Sequence, residues 1–201
     1  MNKHRRMSDD NRPVAFVGLG SNLGDRIQLL ADAAKALECD PRVSLVALSP
    51  VYESAAHLQP TQPKAPDFLN AVVKIDTEYD PLDLLDVCLD IERRLGRDRQ
   101  SENEDKPWPP RSIDIDILVY DSESRSDHRL TIPHPRLHER RFVLLPLCDI
   151  DPDLHVPPPF DSTAAQLLAA CTDQARIRAY HDLRVERHYG YGVPADIDLR
   201  S

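Results

Sequence analysis

The run Ile113-Asp114-Ile115-Asp116-Ile117 alternates apolar and acidic residues without a break. Only an extended chain sorts such a run, because successive side chains of a strand point to opposite faces. Three isoleucines then lie on one face and two aspartates on the other. A strand over Ser112 to Tyr120 is predicted, with a core behind its isoleucines. The same geometry places the two carboxylates on one face, about 6.6–6.8 Å apart along the chain.

A second run shows the same period. From Phe68 to Asp76, Leu69, Ala71, Val73 and Ile75 form one face, and Phe68, Asn70, Val72 and Lys74 form the other. Val14 to Leu19 is short and nearly all apolar, which marks a buried strand. Val43 to Leu48 reads as another. Between them, Ile27, Leu30, Ala33, Ala34 and Leu37 recur at helical spacing, after a Gly20–Gly24 turn in which Asn22 or Asp25 is positioned to cap. Asp80-Pro81 is a helix start, Leu82, Leu85, Leu89 and Glu92 continue it, and Gly96 suits a left-handed end. Residues 97–110 form a charged, Pro-rich loop. Leu130 to Pro133 reads as short and extended. Phe142 to Ile150 fits either helix or strand. Ser162 to Cys171 is predicted helical, capped by Asp161 or Ser162. The order is βαββαβ, hence an α+β fold with helices on a largely antiparallel sheet.

Length and charge bound the function. At 201 residues the chain suits one domain, taken to run over 13–175 between a frayed tail (1–12) and an extension (176–201) of unassigned role. In that extension Tyr189 and Tyr191 are candidates to dock on the body. A net charge of −9 disfavours nucleic acid as a partner. No apolar stretch approaches the length of a membrane span, and the N-terminus lacks a signal-peptide core. The four cysteines are widely spaced, with no CxxC pair, so a reducing, cytoplasmic setting is expected. Arginines gather at Arg93, Arg94, Arg97 and Arg99, at Arg111, and at Arg136, Arg140 and Arg141. Clusters of this kind suit either solvent or a small polyanion.

The paired aspartates have two readings, a solvated strand face and a site for hard cations. Magnesium takes a few carboxylates together with phosphate and water oxygens. A pair of such ions recurs in phosphoryl chemistry. Neither a GxxxxGK[ST] loop nor a protein-kinase motif set is present. Gly20-Ser21-Asn22-Leu23-Gly24 reads better as a structural turn than as a phosphate cradle. Taken singly, Phe68 is a core residue, His134 a loop histidine between prolines, and Glu92 an exposed helix residue.

In order along the chain stand Gly20-Ser21-Asn22-Leu23-Gly24-Asp25-Arg26, Phe68-Leu69-Asn70-Ala71, Ile91-Glu92 with Gly96-Arg97, and Pro110-Arg111 with Asp114 and Asp116. Ile132-Pro133-His134-Pro135 with Glu139-Arg140 completes the series. This ordered set resembles the 6-hydroxymethyl-7,8-dihydropterin pyrophosphokinase family over about residues 14–160. The resemblance implies a ferredoxin-like core in three layers. It implies transfer of pyrophosphate from ATP to the hydroxymethyl group of the pterin, with AMP released, as a step of folate synthesis. Asp114 and Asp116 would hold two magnesium ions, and Arg97, Arg99 and Arg111 would neutralise phosphate. Glu92, Trp108, His134 and Arg140 would lie on the ATP side, with Trp108 in a closing loop. Ser54, Ala55, Ala56, Phe68, Asn70 and Phe142 would hold the pterin. The partners implied are these two small molecules, for a monomer or weak homodimer. A relative acting on another pterin or alcohol, or a binder without turnover, would differ in product release.

Three departures from the family pattern stand out. Trp108-Pro109-Pro110-Arg111 replaces a usual Trp-Gly-Pro-Arg. The 99–111 loop is longer and carries Glu102, Glu104 and Asp105. The segment from His57 to Pro66 is also extended.

Overall fold

The computed structural model describes residues 12–55, 66–97 and 111–180. The expected tail through residue 11, the loop carrying Trp108, and Tyr189 and Tyr191 lie outside the described residues. In chain order the elements are β1 (Val14–Ser21), α1 (Arg26–Glu38), β2 (Val43–Leu48), β3 (Val51–Ser54), β4 (Phe68–Thr77), α2 (Pro81–Arg94) and β5 (Asp114–Tyr120). There follow β6 (Arg125–Ser126), β7 (Thr131–Ile132), a 3-10 turn (Leu137–Glu139), α3 (Arg141–Ile150), β8 (His155–Val156), β9 (Ser162–Thr163), α4 (Ala164–Ala170) and β10 (Ile177–Tyr180).

The main sheet runs β10-β3-β4-β1-β5, with β2 also paired to β4. Every pairing in it is antiparallel. The long β4 serves two partners on one side, β2 along Val73–Thr77 and β3 along Phe68–Asn70. Without β3 and β10, the order β1-α1-β2-β4-α2-β5 is the predicted βαββαβ core.

The alternation sorts the sheet into two cores. Ala15, Val17, Leu19, Leu69, Ala71, Val73, Ile75, Ile113, Ile115 and Ile117 pack beneath α1 and α2. Phe16, Val72 and Leu118 pack on the opposite face with Val143, Leu144 and Leu147 of α3 and Leu167 of α4. The sheet is thus the middle of three layers. Fully buried leucines such as Leu30, Leu37, Leu84 and Leu144 anchor both outer layers; each contributes about 1.5–3 kcal/mol of burial.

Local chemistry sets the helix ends. Asp80 caps α2, accepting from the backbone N–H groups of Leu82 and Asp83, with Pro81 at the first helical position. At its other end Gly96 has φ +85°. The Gly96 N–H reaches the Arg93 carbonyl at 3.2 Å, and the Arg97 N–H reaches the Glu92 carbonyl at 3.0 Å. These two bonds close the helix in the left-handed glycine motif and fix where Arg97 leaves it.

Several elements differ from the sequence expectation. The ambiguous Phe142–Ile150 stretch is helical, with Pro146 inside the helix; its apolar run packs against the sheet over a full helical face. The cap of α4 is Thr163, which forms a capping box with Gln166, so neither Asp161 nor Ser162 holds that place. At the start of α1, Asp25 is the cap. Two strands of the sheet were not expected, β3 and β10, and β10 carries the sheet beyond residue 175. Among the described residues no helix is long and apolar enough to cross a membrane.

Candidate active site

β5 is an edge strand of the sheet, so one side of its backbone needs partners other than a strand. The Ile115 N–H donates to Glu92 Oε1 at 2.8 Å. The Ile113 carbonyl accepts from Arg97 Nη1 at 3.4 Å, and the Leu118 carbonyl accepts from the His134 N–H at 2.8 Å. Three expected site residues therefore also finish the strand that bears the aspartates. Glu92, an exposed helix residue if read singly and an ATP-side residue by the family resemblance, is buried at 1% exposure. In this arrangement it acts beneath the site, as the seat of Arg97, and has no open face toward a ligand.

Both oxygens of Asp114 are engaged. Oδ1 accepts from Arg97 Nη1 at 2.5 Å, and Oδ2 accepts from Arg111 Nη1 at 2.7 Å. The same Arg97 nitrogen lies 2.6 Å from Glu92 Oε1. Burial favours the protonated form of Asp114, but the charges and hydrogen bonds of Arg111 and Arg97 outweigh it and hold the carboxyl below the ordinary aspartate range.

Asp116 behaves oppositely. It lies two residues along the same strand face, with Arg140 Nη1 at 3.6 Å and His134 Nε2 at 3.8 Å. Burial, and then the neighbouring charge of Asp114, push its carboxyl up to about 7. His134 moves the other way, down to about 4, through burial and then the charge of Arg140. It is therefore neutral near pH 7. Its Nδ1 accepts from the Arg136 N–H at 3.1 Å, which assigns the ring proton to Nε2, the nitrogen on the Asp116 side.

Across the sheet lies the other half of the site. Asn70 on β4 is 6% exposed and its Nδ2 donates to Ser54 Oγ at 2.9 Å. Phe68 shares the face of Asn70 and is partly exposed, as is Phe142 at the start of α3, whose ring centroid is 5.9 Å from the Arg140 guanidinium carbon. The Ala55 N–H is already bonded to the Arg176 carbonyl at 3.2 Å, so it is not available to a ligand in this arrangement. Ala56, Arg99 and Trp108 lie outside the described residues.

One residue that shapes the candidate site was not singled out from sequence. Asn22, 2% exposed, accepts from the Arg111 N–H through Oδ1 at 2.7 Å and donates its own N–H to the Arg111 carbonyl at 3.1 Å. The two bonds pin the backbone of Arg111 to the turn after β1. In the sequence Asn22 reads as a turn residue or helix cap; a side-chain acceptor oxygen suits those uses as well as this one, so the spacing does not separate them.

A partly buried carboxylate pair of split proton affinity, with arginines on each member, is suited to polyphosphate chemistry. The family model for 7,8-dihydro-6-hydroxymethylpterin-pyrophosphokinase matches residues 16–152. The chain belongs to this family. It is 46% identical to the 2-amino-4-hydroxy-6-hydroxymethyldihydropteridine pyrophosphokinase of Methylorubrum extorquens, over 70% of this chain and 84% of that one. It is 35% identical to the enzyme of the same name from Bacillus subtilis, over 83% of this chain and 90% of that one.

Solved structures agree on the fold of the family. A crystal structure of an HPPK-DHPS in complex with substrates superposes with a TM-score of 0.59 at 15% identity. It covers 79% of this chain, which spans 43% of that longer protein. The wild-type Plasmodium falciparum HPPK-DHPS with pteroate gives a TM-score of 0.59 at 17% identity, over 82% of this chain and 43% of that one.

Proposed function

We propose that the Asp114–Asp116 face is where the pyrophosphoryl group of ATP meets the hydroxyl of 6-hydroxymethyl-7,8-dihydropterin. The family makes the chain an ATP-dependent diphosphokinase of folate biosynthesis, giving AMP and the pterin diphosphate. The observation that carries the placement is the shared strand face of Asp114 and Asp116, flanked by Arg97, Arg111 and Arg140.

The donor set suits two magnesium ions. Both carboxylates offer hard oxygens on one face. Among the described residues no cluster of three or more His, Cys, Asp or Glu gathers to make a closed protein cage. Magnesium takes a few carboxylates and is completed by phosphate and water oxygens. Asp116 also binds a proton unusually tightly, through burial and then the neighbouring charge of Asp114; a cation would offset the second of these. When bound, the ions would screen phosphate charge and favour the deprotonated hydroxyl.

The chain's own residues do the rest by positioning and charge. Arg97 and Arg111 hold Asp114 before ligands arrive. As phosphate charge enters, Arg111, the less buried of the two, exchanges part of its contact with Asp114 for phosphate oxygen. Glu92 keeps Arg97 in place during this exchange. His134 offers its Nε2–H and Arg140 its guanidinium beside Asp116. Asn70, with Ser54 behind it, presents its amide to the heterocycle, and Phe68 and Phe142 cover the ring faces.

The assay that tests this supplies ATP, magnesium and hydroxymethyldihydropterin and identifies the nucleotide product. AMP formed only when the pterin is present is expected. ADP, or nucleotide release independent of the pterin, overturns the reading.

A further inference from the structure

A glycine within a strand is less favourable than alanine because it gives up more backbone freedom on folding, so each such glycine calls for a reason. β1 carries two, Gly18 and Gly20. Neither has the positive φ that requires glycine; that conformation belongs to Gly24 and Gly96. For Gly18 the reason is packing. A Cβ there would meet the Leu118 side chain at 3.3 and 3.4 Å, inside the second core.

Gly20 has no such reason. A Cβ there would meet Asn70 Oδ1 at 3.5 Å and Asp114 Cβ at 3.8 Å, which are ordinary contacts. Neither the backbone nor the core excludes alanine. What the missing side chain leaves is space, and its position is informative. Gly20 is paired with Asn70 on one side and with Asp114 on the other. Neighbouring strands lie about 4.7–4.9 Å apart, so Asn70 and Asp114 flank a strip roughly 9–10 Å wide whose middle is Gly20. The residue is also partly open to solvent. Strand glycines commonly mark close approach of a ligand.

We infer that Gly20 is a specificity-determining residue. Its bare backbone is the floor over which the reactive arm of the heterocycle crosses from the amide of Asn70 to the carboxylate of Asp114. This rests on the assignment of Asn70 to the pterin side and Asp114 to the phosphate side. A side chain at position 20 fills the crossing from below, lifts the ring from Asn70, and moves its hydroxyl out of line.

Gly20→Ala tests the inference, with Gly20→Val setting the gradient. β-Branched residues suit strands, so a loss of fold is not built into the series. The wild type must first form AMP from ATP in a pterin-dependent way. If it does not, the functional reading fails whatever Gly20 does. Given that activity, Gly20→Ala is expected to keep or raise the melting temperature. It should bind a non-hydrolysable ATP analogue with magnesium within about twofold of wild type. It should also lose on the order of 10²-fold in kcat/KM for the pterin, as displacements of about 1 Å can, and Gly20→Val more. Wild-type kcat/KM for the pterin in Gly20→Ala overturns the inference. So does a fall in melting temperature, or a loss of nucleotide binding equal to that of pterin turnover, because the glycine would then be serving the fold or the whole site.

Discussion

Asp114 and Glu53 are both carboxylates gripped by two arginines, on different strands and opposite faces of the same sheet. Glu53 on β3 is 6% exposed. Its Oε1 pairs with Arg26 at 3.0 Å and its Oε2 with Arg178 of β10. Burial favours protonation of Glu53, but the hydrogen bonds and charges of Arg178 and Arg26 hold it below the ordinary glutamate range. In isolation the two clusters look alike. They differ in what stands beside them. Asp114 has a second carboxylate two residues away whose charge is poorly balanced; Glu53 has Asp67, which is already tied to Arg176 at 3.2 Å and, through its carbonyl, to Arg26 at 2.7 Å. A satisfied arginine–carboxylate cluster is structural. A site for polyphosphate needs carboxylate charge that the protein's own arginines leave partly unbalanced, as the effect of Asp114 on Asp116 shows here.

The difference should be largest in turnover. Asp114→Asn keeps the shape but removes the charge, and is expected to lower kcat on the order of 10³-fold, the scale on which single charge-stabilising groups act in phosphoryl transfer. Glu53→Gln, assayed well below its melting temperature, should stay within a few-fold of wild type. Steady-state AMP release measures both. Comparable losses in the two variants would erase the functional contrast.

Stability should rank the clusters by how deeply their arginines are buried. The Arg97 side chain is 3% exposed, whereas those of Arg26 and Arg178 are 26% and 63% exposed. Asp114→Ala takes one carboxylate partner from a buried guanidinium and is expected to cost about 2–4 kcal/mol, somewhat below the cost of breaking a fully buried pair. Arg97 keeps Glu92 as a partner, which limits the loss. Glu53→Ala leaves its arginines access to water and should cost about 1–2 kcal/mol. Urea midpoints at constant m-value give the ranking; a larger loss in Glu53→Ala would mean that the β3–β10 cluster, not the aspartate site, is the tighter one.

The contrast was only half legible in the sequence. Asp114 and Asp116 could be placed on one face because the period-2 pattern is local, and Ile113, Ile115 and Ile117 announce the core behind them. Asn70 and Phe68 were legible for the same reason. Glu53 was not, because Val51–Ser54 is four residues long and its alternation too brief to stand out. Its partner Arg178 is 125 residues away, and no local pattern predicts a pairing at that separation. Read singly, Glu92 looks like a surface residue, because its burial depends on the edge of β5, a tertiary fact. The Schellman-type end at Gly96, in contrast, could be read in advance, since its chemistry lies within one helical turn.

Proton affinity sharpens the comparison at a smaller scale. Asp116 is raised to about 7 by burial and then by Asp114. The folded state therefore binds this proton more tightly than the unfolded chain does. Its contribution favours folding at low pH and is lost as pH rises from the ordinary aspartate range through about 7. The side chain is 38% exposed, so solvent screens much of the effect, and about 1 kcal/mol is expected. Ligand-free Asp116→Asn should match wild type in melting temperature near pH 4 and exceed it near pH 8. A difference that does not change with pH would mean that Asp116 carries no surplus charge.

The smallest effect expected is at the exposed end of the Glu53 cluster. Arg178 comes from β10, beyond the segment matched by the family, and it joins β3 both through the strand pairing Arg178–Glu53 and through its side chain. Arg178→Ala removes one of two guanidinium partners and leaves Glu53 with Arg26. An exposed pair contributes about 0–1 kcal/mol, and loss of the backbone pairing is not implied by the substitution. The melting temperature should therefore fall by only a few degrees. Because Arg178 is largely solvent-exposed, salt should shrink that difference as it screens the pair. The Asp114→Ala difference should persist at the same ionic strength, since Arg97 is shielded from solvent. Thermal scans of both variants at low salt and near 1 M salt separate the two. If the Arg178→Ala deficit survives high salt undiminished, the arginine holds β10 to β3 mainly through its packed aliphatic stem, and the charge at Glu53 is incidental to it.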